Sequence, residues 1–364
     1  MTAPKLALQL CVSFWLATAA TATLSQTIRL HKMVDSGFPA EDNFPIAWVD
    51  NDRLLFTGVE LGERAERPLQ PGYSHGLKHA AYMWDTRKNV VAKFRDTTLG
   101  TLCTNKAYIS YRIVESWEEK RVAIYAGEFG SEIKLRLPEK YWFNRMSCRY
   151  FTKPPIWAQR QMAGRWIQPL LDEHGFIDYG PIDLSKGTPE TFRNTPYVFW
   201  SADGKTSKRL EIEPRYREQR PLRFAYVPFA NQYFARAATT DISSVVPAFF
   251  LDPHGEIRKM EIPKGPWDGR RYLAVRDGIL LVSKLRRSFS DPGNAGVFLL
   301  INGNARKLVT GMPKQVTVSP DGCKVAFEYA WSQQERIDGY KAWRQGRVAN
   351  TIRMVDICDG EDRG

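Results

Sequence analysis

The chain is poor in the residues that most often carry chemistry. Its 364 residues include five histidines and five cysteines. No His-Glu-x-x-His pattern occurs, and His31, His174 and His254 are scattered. His75 and His79 have the i,i+4 spacing of a zinc pair, but Gly72 and Gly76 disfavour the helix that would present both to one ion. We read them as solvated loop histidines and expect no metal. Glycine-rich phosphate loops and dinucleotide fingerprints are also lacking, so no cofactor is expected. Acid pairs such as Glu118-Glu119 read as solvated charges. Ala-rich helical stretches are scarce, whereas aromatics reach 12% and the hydrophobic fraction 43%. That balance favours strands around a sizeable core.

Leu6 to Ala20 is the long apolar run near the start, too short and too weakly flanked for a good transmembrane anchor. It follows Lys5 and precedes Ala20-Thr21-Ala22, a small-residue cleavage pattern, so residues 1–22 are expected to be a signal peptide and 23–364 one exported domain. Cys11 lies inside the apolar run after the large Leu10, which argues against lipidation. The expected location is the periplasm or outside the cell, and the protein is not expected to be integral to a membrane. The net charge of +12 then points away from nucleic acid and toward an envelope protein or an anionic glycan or lipid.

The region Gln315 to Tyr329 organises the reading. Two alternating strands flank Ser319-Pro320-Asp321-Gly322, a tight-turn sequence. Weaker copies recur. Tyr197 to Trp200 turns at Asp203-Gly204, Ala248 to Leu251 at His254-Gly255, and Val297 to Leu300 at Asn302-Gly303. Earlier copies lie at Ala81 to Phe94 and Val122 to Leu137, and a last one begins at Thr351. The turn glycines Gly204, Gly255, Gly303 and Gly360 recur at intervals of roughly fifty residues, the period of a four-stranded propeller blade. Each outer hairpin has an inner one before it: Ile46 to Thr57, Leu102 to Ile113, Phe143 to Phe151, Phe224 to Ala235, Tyr272 to Ser283 and Gln315 to Tyr329. The predicted fold is an all-β, six-bladed propeller of four-stranded antiparallel blades, with seven blades the alternative count. The sixth blade lacks a fourth strand, and Thr27 to Lys32 could close the ring by supplying it.

Ser319-Pro320-Asp321-Gly322 followed by Lys324-Val325-Ala326-Phe327 resembles the repeat of TolB-like β-propellers; Ser201-Ala202-Asp203-Gly204 and Trp48 to Phe56 are looser echoes. The resemblance implies a propeller. The first blade here starts soon after the leader, without the α/β domain that precedes the propeller in TolB itself.

In a propeller, strand 2–3 connections share one face. Those read here as long are Glu60 to His79, Lys153 to Pro196, Ala237 to Pro247, Leu285 to Ala295 and Ala330 to Ala349. Loops longer than their connection needs are often functional. The largest, an expected insertion at about 152–196, carries Trp157, Arg160, Arg165 and Trp166. The last carries Arg336, Tyr340, Trp343 and Arg344, at a spacing that suits a short helix. Cations interleaved with aromatics suit an anionic or sugar-like ligand, or a protein partner. The leading expectation is a non-catalytic binding or scaffold protein of the cell envelope. The alternative is a propeller hydrolase or lyase acting on an acidic glycan, with His75, His79, Arg160 and Arg165 as its first candidates.

Four cysteines remain after the leader. Cys323 begins strand 2 of blade six and Cys358 follows strand 3, so antiparallel pairing brings them together. Cys103 and Cys148 pair by elimination, although as residues of inner strands in adjacent blades they would strain the roughly 7 Å limit for a bridge.

Overall fold

The computed structural model describes residues 33–39, 45–59, 79–116, 121–181, 195–216, 221–237, 245–263, 269–283, 296–310, 312–330 and 351–358. Alternating sequences become strands throughout, arranged as six four-stranded antiparallel sheets and one two-stranded ribbon. Blade one is Ala47–Trp48, Arg53–Val59, His79–Asp85 and Val90–Arg95. Blade two is Gly100–Asn105, Tyr108–Ser116, Arg121–Glu128 and Ile133–Leu135. Blade three is Arg165–Pro169, Phe176–Pro181, Val198–Trp200 and Ser207–Arg209. Blade four is Ala225–Val227, Gln232–Arg236, Val245–Leu251 and Ile257–Pro263. Blade five is Gly269–Val275, Gly278–Ser283, Gly296–Ile301 and Asn304–Thr310. Blade six takes Met312–Val318, Lys324–Ala330 and Thr351–Asp356 from the end of the chain and Met33–Pro39 from its beginning. The fold is a six-bladed β-propeller, not a seven-bladed one.

The closing strand is later than expected. Met33, Val34 and Asp35 pair with Val355, Met354 and Arg353. The expected strand, Thr27 to Lys32, lies outside the described residues. Val34 and Phe38 explain the choice: both pack on the cluster shared by blades six and one. Asp35 adds an ion pair with Arg353 at 2.8 Å and accepts a hydrogen bond from the Thr351 hydroxyl.

The period-2 alternation of a strand lets each blade seal against both neighbours. In blade four, Phe249 and Leu251 face blade three, while Val246 and Ala248 face blade five. Five apolar clusters of this kind fill the interfaces three–four, four–five, five–six, six–one and one–two. Tight turns set the register on one face. Gly322 adopts φ +77°, and a Cβ there would lie 2.6 Å from Phe229 and 2.8 Å from the Arg276 nitrogen, so only glycine fits.

Among the described residues no apolar cluster spans blades two and three. The strand sequences say why. In blade two, Ile109 and Tyr111 face blade one, which leaves Tyr108, Ser110 and Arg112 on the other side. In blade three, Ile177 and Tyr179 face blade four, which leaves Phe176 and Asp178. Two partly polar faces cannot seal directly. The chain between them forms a ribbon, Trp142–Asn144 with Arg149–Phe151, and a short helix α1, Ile156–Met162.

This corrects the sequence reading of blade three. Phe143 to Phe151 was expected to be its inner hairpin, but those strands pair only with each other. The inner hairpin is Arg165–Pro169 with Phe176–Pro181, inside the stretch read as a loop. Its turn, Leu170 to Gly175, lacks the Ser-Pro-Asp-Gly signature, and the register is offset by a bulge between Arg165 and Ile167. The strand 2–3 connection of blade three is therefore 182–197, and the extra material precedes the blade.

Both disulfides are present. Cys323 and Cys358 have Cα atoms 5.0 Å apart, and Cys103 and Cys148 are 5.5 Å apart. The second pair is easily spanned because Cys148 is not on a blade strand. It sits in the turn of the ribbon at φ +60°, packed beside blade two. No helix among the described residues is long and apolar enough to cross a membrane.

Candidate functional site

Antiparallel topology places the strand 2–3 connections on one face, opposite the turns joining strands 1 and 2. Those connections are 60–78, 117–120, 182–197, 237–244, 284–295 and 331–350. The turns on the other face are two to five residues in most blades, as in Lys106-Ala107 of blade two and Arg276-Asp277 of blade five. Arg336, Tyr340, Trp343 and Arg344 fall in 331–350, and His75 in 60–78; they lie outside the described residues. His79 opens the third strand of blade one. Among the described residues no three His, Cys, Asp or Glu side chains gather as metal ligands.

Trp157, Arg160, Arg165 and Trp166 are not on a strand 2–3 loop. Trp157 and Arg160 belong to α1, and Arg165 and Trp166 to the inner strand of blade three. Both arginines converge on Asp178, whose side chain is 1% exposed. Arg165 donates from Nε to Oδ2 at 2.6 Å, and an Arg160 nitrogen lies 4.0 Å from the same oxygen. The Arg160 guanidinium also stacks over Trp200 at 3.7 Å and Phe176 at 5.6 Å. Trp166 packs on the cluster between blades three and four. A buried carboxylate meets both cations, and two aromatic faces meet Arg160.

The ribbon continues this wedge. Asn144 and Ser147, both buried, donate to Asp172 Oδ1 at 2.8 and 2.9 Å, with Arg149 at 3.6 Å from the other oxygen. Arg149 also covers the Tyr108 ring of blade two at 5.8 Å. Beyond it, the Tyr233 hydroxyl meets His174 Nδ1 at 2.8 Å and accepts from the Leu171 nitrogen at 2.9 Å. Burial lowers the His174 pKa below the ordinary imidazole value and raises that of Tyr233. The imidazole is thus held neutral at pH 7, in a turn on the face opposite the long connections.

Four inner strands carry a bulge a few residues before the strand 1–2 turn. They lie between Gly100 and Cys103, Arg165 and Ile167, Gly269 and Arg271, and Lys314 and Thr317. Thr101 and Gln315 take positive φ there, at 50° each, an uncommon state for a β-branched residue such as Thr101. Bulges re-aim side chains. Around the inner strands of blades four, five and six lies a cleft of about 190 Å³, lined by Tyr226, Phe229, Arg271, Tyr272 and Thr317 among others. Nothing in the sequence singled out Arg271: Arg271-Tyr272-Leu273 reads as ordinary strand.

The geometry defines the class: a disulfide-stapled six-bladed β-propeller with its long connections on one face. No protein-family model matches the chain, and no curated protein matches it. Among solved structures, an oligogalacturonate lyase in complex with manganese is similar over 90% of this chain and 98% of its own, at 10% identity and a TM-score of 0.41. An oligogalacturonate lyase from Vibrio parahaemolyticus covers 92% and 95%, at 10% identity and a TM-score of 0.43. TolB from Acinetobacter baumannii covers 99% and 72%, at 15% identity and a TM-score of 0.34. At these scores the likenesses carry no argument, and the propeller rests on its own strand pairing.

Proposed function

We propose that this chain is an exported, non-catalytic binding or scaffold protein of the cell envelope. Its working surface is the face of the strand 2–3 connections, and residues 1–22 are a cleaved leader. The observation that carries the reading is the asymmetry of the two faces. One is built from tight turns such as Ser319 to Gly322, with Ser319 donating to Asp321 at 2.5 Å. The other holds the long segments 60–78 and 331–350. Both disulfides and the positive charge fit an oxidising, anionic envelope. The TolB-like repeat sequence belongs with this reading. The enzyme alternative is weakened because two of its four first candidates, Arg160 and Arg165, are spent on Asp178.

The test is retention of envelope components by the immobilised protein at low and moderate salt, beside a variant with 331–350 replaced by a short turn. That segment connects two strands already held by their own ladder, so the variant keeps its blades. A single partner retained at both salts and lost with the loop supports a binding module. Salt-sensitive retention of anionic glycan or lipid redirects the test to turnover. No retention at either salt refutes the reading.

A further inference from the structure

Three blades place a cation at the bulge of the inner strand, and comparing them isolates one. In blade three, Arg165 meets Asp178 of the neighbouring second strand. In blade six, Lys314 lies directly across from Glu328, 3.8 Å away, and that carboxylate is 1% exposed. Blade five presents Arg271, and the residue across from it is Val282. No carboxylate pairs with Arg271 among the described residues.

The place is built to hold something. Arg271 lines the cleft with Tyr272, Tyr226, Thr317 and Phe229. Its side chain is exposed at the cleft. Partial desolvation by the cleft walls lowers its pKa below the ordinary guanidinium value. Arg236 stands behind the wall, its guanidinium 4.8 Å from the Tyr272 ring centre. At one end Phe229 of blade four reaches Gly322 of blade six, and Arg276 of blade five donates from Nε to the Asp321 carbonyl at 3.1 Å. The strand 1–2 turns of three blades thus meet beside the cleft.

We propose that this cleft is a binding site for a small carboxylate with an apolar or aromatic body, the carboxylate taking the place by Arg271 that Asp178 and Glu328 fill in blades three and six. One guanidinium matches a single negative charge, and its planar fork suits a carboxylate. The aromatic rings and Val316 suit an apolar body. The site is separate from the loop face proposed above, and neither reading depends on the other.

The test is titration of the purified protein by calorimetry with phenylacetate, its neutral isostere phenylacetamide, and inorganic phosphate. Expected is saturable phenylacetate binding, at least roughly tenfold tighter than phenylacetamide, a difference of about 1.4 kcal/mol, and no measurable phosphate binding. Arg271→Gln should abolish the preference for the acid, and Arg271→Lys, which keeps the charge, should retain part of it. Circular dichroism confirms that each variant is folded, and the lysine variant serves if the glutamine one is not. Equal affinity for acid and amide overturns the proposal. So do tighter phosphate binding, no saturation by about 10 mM ligand, or an acid preference that survives Arg271→Gln.

Discussion

The two disulfides close loops of similar length but should protect different things. The sequence separations are 45 for Cys103–Cys148 and 35 for Cys323–Cys358. Loop-closure entropy alone gives about 4 kcal/mol for each, because the dependence on length is logarithmic. Any difference must then come from the native state. Cys358 ends a strand whose Ile352, Met354 and Val355 are buried in clusters on both sides. Cys148 instead anchors a ribbon at the junction of blades two and three, where no apolar cluster forms among the described residues. The rest of its attachment is mostly polar and local: Asn144 and Ser147 to Asp172, and Arg149 over Tyr108, with Met146 alone packing on the cluster between blades three and four.

Replacing Cys323 and Cys358 by alanine should therefore lower global stability without opening any one segment. The Cys103→Ala, Cys148→Ala variant should lower it and also release the wedge. If most of about 4 kcal/mol is withdrawn from that local opening, amide protection across 142–162 falls by roughly a thousandfold. Hydrogen exchange followed by mass spectrometry under native conditions reads this directly, and urea unfolding supplies the global term. Equal, uniform loss of protection in the two variants would refute the idea of a polar, separately held seam. So would unchanged exchange over 142–162.

Asp178→Asn removes the counter-charge of Arg165 and Arg160 while keeping the volume. With both guanidiniums partly solvated, the cost should be about 1–3 kcal/mol, and the cycle with Arg165→Gln should show a coupling above about 0.5 kcal/mol in urea unfolding. Lys324→Met tests the seam between blades six and one. This lysine is 4% exposed and donates to the Asn51 carbonyl at 2.9 Å and to Asp52. Its loss should cost about 2–4 kcal/mol, with little dependence on salt; a neutral result would show that the surrounding cluster alone holds the seam. His174 makes a prediction about pH. Its folded pKa lies below the unfolded value near 6.5, so between the two the unfolded chain binds more protons. Stability is complete above about pH 7.5 and falls as pH drops through 6.5 and below. Glu173, Lys106, His254, Tyr226 and Tyr233 are the groups around it. His174→Gln should remove this component from the pH profile of the unfolding midpoint, and an unchanged profile would assign the slope elsewhere.

The parts of the fold that were legible are those where local chemistry and long-range pairing ask for the same thing. Ser319 to Gly322 needs glycine at φ +77° whatever surrounds it, and the flanking alternation needs two faces to bury. Blade three was misread because its signals conflict. Phe143 to Phe151 is only a loosely defined hairpin in sequence, and its turn is the site of a disulfide rather than of a blade register. Arg165 to Pro169 contains a charge and a proline, which make it look like loop. Only Asp178, buried on the next strand, makes that arginine tolerable, and a pair separated by a turn leaves no periodic trace. Arg160 was read as part of a strand 2–3 loop and lies on α1 against Asp178 instead. An aromatic–cation pair reads the same in sequence whether it faces a ligand or, as here, the Trp200 ring and a buried aspartate.

That ambiguity also shows where function can hide in a repeat fold. Blades share a backbone plan, so a position can be compared with its counterparts inside one molecule. A cation on the bulged inner strand is matched by a buried acid in blades three and six, and there it is part of the scaffold. In blade five the strand, bulge and cation recur, but Val282 lies across from Arg271 where blade six has Glu328 across from Lys314. Among the described residues no acid stands beside Arg271 as Asp178 and Glu328 stand beside the cations of the other two blades, which leaves its charge to be matched by a ligand. The exception within the repeat therefore says more about binding than any conspicuous cluster of aromatic and basic residues, and it can be seen only when the blades are superposed in register.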